Sequence, residues 1–206
     1  MSRRQWFLVA VALVVILVSG LLFLDLRLAR SRTAGDRGIG TYRGGDKLPP
    51  KMANAPVVSV AVEGDGAFAE AFRDALRAEL WGNNPQIGNV EMVDGAPDAA
   101  GDIYMRIEIV REEIVWTPVY ARAEVETRMA FSSDGDVSWR VQKPVVMTGG
   151  EVPIVKADGQ VGLADKSWGL LSLPGYRHLV AKALAAQYSE ALETVWAAGA
   201  AKTYAK

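Results

Sequence analysis

The chain has 206 residues, no cysteine, a single histidine (His178) and a formal charge of -1, and half of its residues are hydrophobic. These figures exclude a disulfide framework, a thiol nucleophile, thiolate-bound zinc, a cysteine-ligated iron–sulfur cluster, a lipid-bearing cysteine and any multi-histidine metal site. The length suits one globular unit with a core of its own, beside a separate apolar segment.

Residues 1–5 form a short basic N-terminus carrying Arg3 and Arg4, and Trp6 to Leu24 is a nineteen-residue run without a charge. At 1.5 Å per residue such a run spans about 28 Å, close to the roughly 30 Å of bilayer hydrocarbon, so it is expected to be a single-pass transmembrane anchor. Two other readings compete with it: a cleaved secretory signal, with Arg3 and Arg4 as its basic start, and a buried core helix. Ser19 and Gly20 are the only small pair near a cleavage position. For orientation two rules disagree. Arg27, Arg30, Arg32, Arg37 and Arg43 would hold the C-terminal side in the cytoplasm. A short basic N-terminus ahead of the first apolar run is instead the pattern of an export signal. The favoured placement is the inner (cytoplasmic) membrane, with the globular domain periplasmic or otherwise extracytoplasmic.

Residues 25–54 are rich in Arg, Gly, Asp and Pro and show no apolar period, which reads as a basic flexible linker. Seven basic residues against three acidic give it +4, and with Arg3 and Arg4 set aside the remainder of the chain carries -7. The linker would lie against anionic headgroups, each cation contributing on the order of 1 kcal/mol. An acidic domain argues against nucleic-acid binding, which needs clustered cations on the folded face. Gly38, Gly40, Gly44 and Gly45 have neither the spacing nor the preceding strand of a dinucleotide-binding loop.

From residue 55 to 198 the pattern is that of one α+β domain. Val57 to Val62 is a β-branched run between Pro56 and Gly64-Asp65-Gly66, and reads as a strand. Phe68, Ala71, Phe72, Ala75, Leu76 and Leu80 recur at helical spacing, with Asp65 placed to cap the start and Gly82 with Pro85 to end it. A short strand at Val90 to Val93 precedes a loop from Asp94 to Asp102. Two alternating runs flank Pro118: Ile103, Met105, Ile107 and Ile109 face inward in the first. In the second, Val119, Ala121, Ala123, Val125, Met129 and Phe131 face in, while Tyr120, Arg122, Glu124, Glu126 and Arg128 face out. The charged face reads as cross-strand ion pairing on a wet sheet rather than as a site. Ser132 to Asp136 is expected to turn the chain onto a further strand, Val137 to Val146; it holds too few oxygen donors for a calcium loop.

Residues 147–172 are glycine-rich and read as loop. A helix follows from Pro174 to about Ala198, with Tyr176, Val180, Ala183, Leu184, Ala191, Leu192, Val195 and Trp196 on its apolar stripe. Residues 199–206 are expected to fray. The expected architecture is therefore α+β: a transmembrane helix, then a mostly antiparallel sheet in the order β-α-β-β-β-β-α, with two helices on one face.

VVSVAV at Val57, AFAEAFRDALRAELW from Ala67 to Trp81, DIYMRIEIV from Asp102 and VYARAEVETRMAF from Val119 together resemble the small envelope lipoproteins of the lipopolysaccharide-assembly type. The auxiliary lipoproteins of lipid-transporting ABC systems are similar as well. The resemblance covers about residues 55 to 147 and implies a periplasmic accessory domain. Such lipoproteins are held by an acylated cysteine, which this chain lacks, so the resemblance implies that an inner-membrane helix has replaced the lipid.

No catalytic, cofactor-binding or metal-ligating set emerges. His178 has Ser167 and Ser172 nearby in sequence, but no Gly-x-Ser-x-Gly elbow accompanies them. Glu112 and Glu113 are strand neighbours and point to opposite faces, so they cannot act as a carboxylate pair. The expectation is a non-enzymatic accessory protein without cofactor, binding a protein partner in envelope assembly or transport. A regulator of a membrane enzyme in the same bilayer and a hydrolase with an unrecognised site are the alternatives. The partner-binding candidates are Trp116 with Pro118 at the hairpin bend, and Trp168, Leu170 and Leu171 ahead of the last helix; capping of the core is the competing role for them.

Overall fold

The computed structural model describes residues 3–23, 26–37, 57–83, 88–94, 103–132, 145–147 and 154–203. Its elements in chain order are α1 (Arg3–Phe23), β1 (Leu26–Arg37), β2 (Val57–Glu63), α2 (Ala67–Asn83), β3 (Asn89–Met92), β4 (Ile103–Thr117), β5 (Tyr120–Ser132), β6 (Val145–Met147), β7 (Ile154–Leu170) and α3 (Leu173–Thr203).

The fold is α+β around a seven-stranded mixed sheet in the order β1-β7-β5-β4-β2-β3, with β6 also paired to β7. The pairs β1–β7, β7–β5 and β5–β4 are antiparallel, whereas β2 pairs in parallel with both β3 and β4. A parallel pair needs a crossover, and α2 supplies the one between β2 and β3. Lys156 is paired with Ser132 of β5 and with Val145 of β6, so β6 lies on the same edge of β7 as β1.

Alternation decides which face is covered. Ala121, Ala123, Val125, Thr127, Met129 and Phe131 of β5 are buried, as are Val161, Leu163, Asp165 and Ser167 of β7. Against this face lie Phe68, Phe72, Leu76 and Leu80 of α2 and Tyr176, Val180, Leu184, Tyr188 and Leu192 of α3. Each such large apolar side chain stabilises the fold by roughly 1.5–3 kcal/mol on burial. The two helices meet through the rings of Phe72 and Tyr188, whose centroids are 5.7 Å apart. α3 begins at a true cap: Ser172 Oγ accepts from the backbone N of Gly175 at 3.1 Å, and Pro174 follows within the first turn.

Several expectations need correction. Leu26–Arg37 was expected to be part of the linker and is an edge strand, paired with β7 from Leu26↔Leu170 to Arg37↔Gln160. The rest of the linker, residues 38–54, lies outside the described residues. Ile154–Leu170, expected to be loop, is a seventeen-residue strand. Consequently β5 is neighboured by β7 and not by the strand expected at Val137 to Val146; of that range only its end, in β6, is described. β4 runs through to Thr117 because Val110 bulges out of register and restores Ile114 and Trp116 to the inner face. Val119, expected to face inward, stands in the turn between β4 and β5 and is 56% exposed. At α2 the position before the helix is Gly66, at φ 96°, one residue after Asp65.

Every side chain of α1 from Arg3 to Gly20 is exposed, and this is a helix long and apolar enough to cross a membrane. Its 21 residues extend roughly 31 Å.

Candidate functional site

The start of β1, the end of β7 and the β4–β5 turn form one corner of the sheet. Leu26 pairs with Leu170, and Trp168 pairs with both Ala29 and Tyr120. The turn is closed by Thr117, whose Oγ1 accepts from Tyr120 N at 3.0 Å and donates to Tyr120 O at 2.9 Å. β7 is tied to this turn as it leaves the sheet: Gly169 N donates to Val119 O at 3.1 Å and Leu171 N to Pro118 O at 2.9 Å. Trp116 Nε1 donates to Leu171 O at 3.0 Å.

All five residues singled out in the sequence therefore lie together, though not in one role. Leu171 is fully buried and Trp116 is packed against the core, so these two cap it. Pro118 is exposed, Leu170 half-buried, and Trp168 remains 54% exposed. Trp168 stacks at a tilt on Tyr120, centroids 4.4 Å apart, on the helix-free face of the sheet. Reading the sequence missed Val119, Tyr120 and Leu28; Leu28, at a register shift in β1, is 87% exposed. The Pro118-Val119 dipeptide was the available signal, since a proline stops one alternation and lets the next start a residue later.

Away from this corner the uncovered sheet face is a charge lattice. Arg106 chelates Glu63 at 2.7 and 2.9 Å, Glu113 meets Arg111 at 2.8 Å and Arg122 at 2.6 Å, and Arg128 lies 3.9 Å from Glu108. Exposed pairs of this kind stabilise weakly, roughly 0–1 kcal/mol each. The guanidinium groups of Arg111 and Arg122 hold the Glu113 carboxyl below the usual carboxylate range. Glu112, on the opposite face, is pushed up by desolvation, against the pull of Arg177.

The residues of a serine-type site are not assembled. His178 is exposed on the second turn of α3, Ser172 is occupied as the cap, and buried Ser167 donates to Asp165 at 3.0 Å. Among the described residues no group of three or more histidine, aspartate or glutamate side chains is placed to hold a metal ion.

No family model matches the chain, and no curated relative does. Solved structures align with it at low identity and low TM-score. A PelC dodecamer from Paraburkholderia phytofirmans is 10% identical with a TM-score of 0.41, covering 76% of this chain and 96% of that one. The hypothetical protein CT253 from Chlamydia trachomatis is 10% identical with a TM-score of 0.42, covering 70% and 99%. A neuraminyllactose-binding hemagglutinin homolog from Helicobacter pylori is 11% identical with a TM-score of 0.34, covering 76% and 89%. At such scores nothing about the function of this chain follows from them.

Proposed function

We propose that this chain is a single-pass, membrane-anchored, non-enzymatic accessory domain that binds a protein partner in envelope assembly or transport. It would stand where the small envelope lipoproteins stand, with a helix in place of their lipid. The observation that carries the reading is α1: an apolar helix with every described side chain exposed, joined to the first strand of the sheet through only Leu24 and Asp25. An exposed apolar surface of that extent needs a non-aqueous neighbour. Anchoring raises the local concentration of the domain at the membrane, so a modest contact suffices to engage a partner there.

The test is a C-terminal fusion to a reporter active only after export, combined with alkaline extraction of membranes. Full-length chain retained in the membrane with an active reporter is the expected result. A shortened, soluble product would make the apolar run a cleaved signal. A silent export reporter with an active cytoplasmic one would place the domain in the cytoplasm, as a regulator of an enzyme in the same bilayer.

A further inference from the structure

The anchor and the aromatic corner are linked by covalent geometry. Phe23 ends α1 and Leu26 begins β1, so their Cα atoms are three peptide steps apart, at most about 11 Å. The headgroup layer on each side of a bilayer is roughly 5–8 Å deep. If α1 spans the hydrocarbon, Leu26 emerges at that layer. The rest of the corner is fixed to Leu26 by the sheet: Leu170 is its partner, Trp168 follows on β7, and Tyr120 and the turn are hydrogen-bonded to that stretch.

What the corner presents suits that depth. Val119 at 56%, Trp168 at 54% and Leu28 at 87% exposure are apolar groups without cover. Tyr120 and Trp168 form a ring pair beside them, and tyrosine and tryptophan concentrate where one end of a side chain is apolar and the other wet. Arg27, paired with Gly169, and Lys166, two residues before Trp168, are exposed cations placed for lipid phosphates. Further along the same face, apolar groups give way to the charge lattice of Arg122, Glu113, Arg111 and Glu124. Val115, Val119, Trp168 and Leu28 put most of the exposed apolar side chains of the described strands and the β4–β5 turn toward the end nearest α1, with Val110 at the β4 bulge the exception.

We propose that this corner, made by Leu28, Val119, Tyr120 and Trp168, rests in the headgroup layer of the bilayer that α1 crosses, so that the sheet stands on the membrane instead of hanging from a linker. The inference depends on the anchoring proposed above. It assigns lipid as the occupant of the corner and leaves the charged face and the far end of the sheet to the protein partner.

The chain has no cysteine, so single substitutions give unique labelling positions. Full-length chains carrying Ile16→Cys, Val119→Cys or Gln160→Cys, each bearing an environment-sensitive fluorophore, would be reconstituted in phosphatidylcholine–phosphatidylglycerol vesicles containing nitroxide-labelled lipid. Gln160 is exposed on the same sheet face as Trp168, roughly 27 Å further along β7. Quenching at positions 16 and 119, with none at 160, is the expected result. Quenching at 16 alone would overturn the inference and leave the anchor in place; no quenching at 16 would overturn the anchoring itself. Energy transfer between labels at 119 that persists on dilution with lipid, without lipid quenching, would mean that a second copy covers the corner, and would also overturn it.

Discussion

The carboxylate of Asp165, fully buried on β7, accepts a hydrogen bond of 2.8 Å from Nε of Arg30 on the edge strand β1. Arg32 approaches the same oxygen at 3.3 Å, and Ser167 donates to the other at 3.0 Å. The two arginine side chains are about 30% exposed and the carboxylate not at all, so removing either side has unequal consequences. Arg30→Ala with Arg32→Ala strands a buried anion and is expected to destabilise by about 3–5 kcal/mol. Asp165→Asn leaves cations that can hydrate and is expected to cost about 1–2 kcal/mol. Urea denaturation of the solubilised chain decides; the reverse order would mean that Asp165 is hydrated without β1.

Thr127 Oγ1 donates to Val161 O at 2.9 Å and so accepts from the Tyr188 hydroxyl, deep between the sheet and α3. Burial raises the Tyr188 phenol well above its ordinary value, keeping it neutral and a donor. Thr127→Val orphans that buried hydroxyl and is expected to destabilise by about 1–3 kcal/mol, whereas Tyr188→Phe leaves Thr127 its bond to Val161 and is expected to cost about 0.5–1.5 kcal/mol. The double variant should fall short of the sum of the two, read as denaturation midpoints.

Glu112 and Glu113 should give opposite pH responses. Glu112 is raised by desolvation, so its contribution to folding is fullest below the ordinary carboxylate range and is lost as pH rises through its raised value. Glu113 is lowered by Arg111 and Arg122, so its contribution is present above that range and is lost as pH falls through its lowered value. Between about pH 3 and pH 7, Glu112→Gln should gain stability relative to the parent as pH rises, and Glu113→Gln should lose it. Midpoints moving the same way for both would contradict their placement on opposite faces.

Gly64 follows β2 at φ 149°, and a Cβ there would lie 2.9 Å from Cδ1 of Ile109. Gly64→Ala should therefore destabilise by about 1–3 kcal/mol. Gly66→Ala, at φ 96° with nothing within 4 Å, carries the backbone strain without the clash and should be milder. Thermal melts of the two variants check the order.

Trp116 and Trp168 should separate stability from function. Trp116→Phe removes the donor to Leu171 O and is expected to lower stability by about 1 kcal/mol. Trp168→Ala removes an exposed ring and should leave the melt within about 0.5 kcal/mol of the parent, while weakening the contact made by the corner. A large loss of stability in Trp168→Ala would assign that ring to the fold.

The stripe from Phe68 to Leu80, the alternation of Ile103, Met105 and Ile107, and that of Ala121 through Phe131 were legible because each writes its own period in apolar residues. β7 was not, because its inward positions include Gly159, Asp165 and Ser167, and an aspartate at an inward position reads as loop until its cations are known. Those cations are on β1, 133 and 135 residues away in sequence. β1 was concealed by the same fact: Arg30 and Arg32, counted as flanking charge, are the inward side of an edge strand.

The candidate corner followed the same division. Trp116, Pro118, Trp168, Leu170 and Leu171 could be picked out one by one as aromatic or apolar residues near breaks in pattern. That Trp116 and Leu171 belong to the core, while Trp168 stays outside on Tyr120, depends on the pairing of β5 with β7.

An apolar segment of membrane length, an α+β domain beyond it and the inward positions of α2, of Ile103 to Ile109 and of Ala121 to Phe131 were readable along the chain, because hydrophobic period is a local property. That the segment after α1 is a strand and not a linker, and that the corner it enters carries exposed aromatic rings, emerges from the folded sheet alone. Strand pairing and ion pairing join residues more than a hundred positions apart, and no local pattern encodes which partner a strand or a buried charge will find.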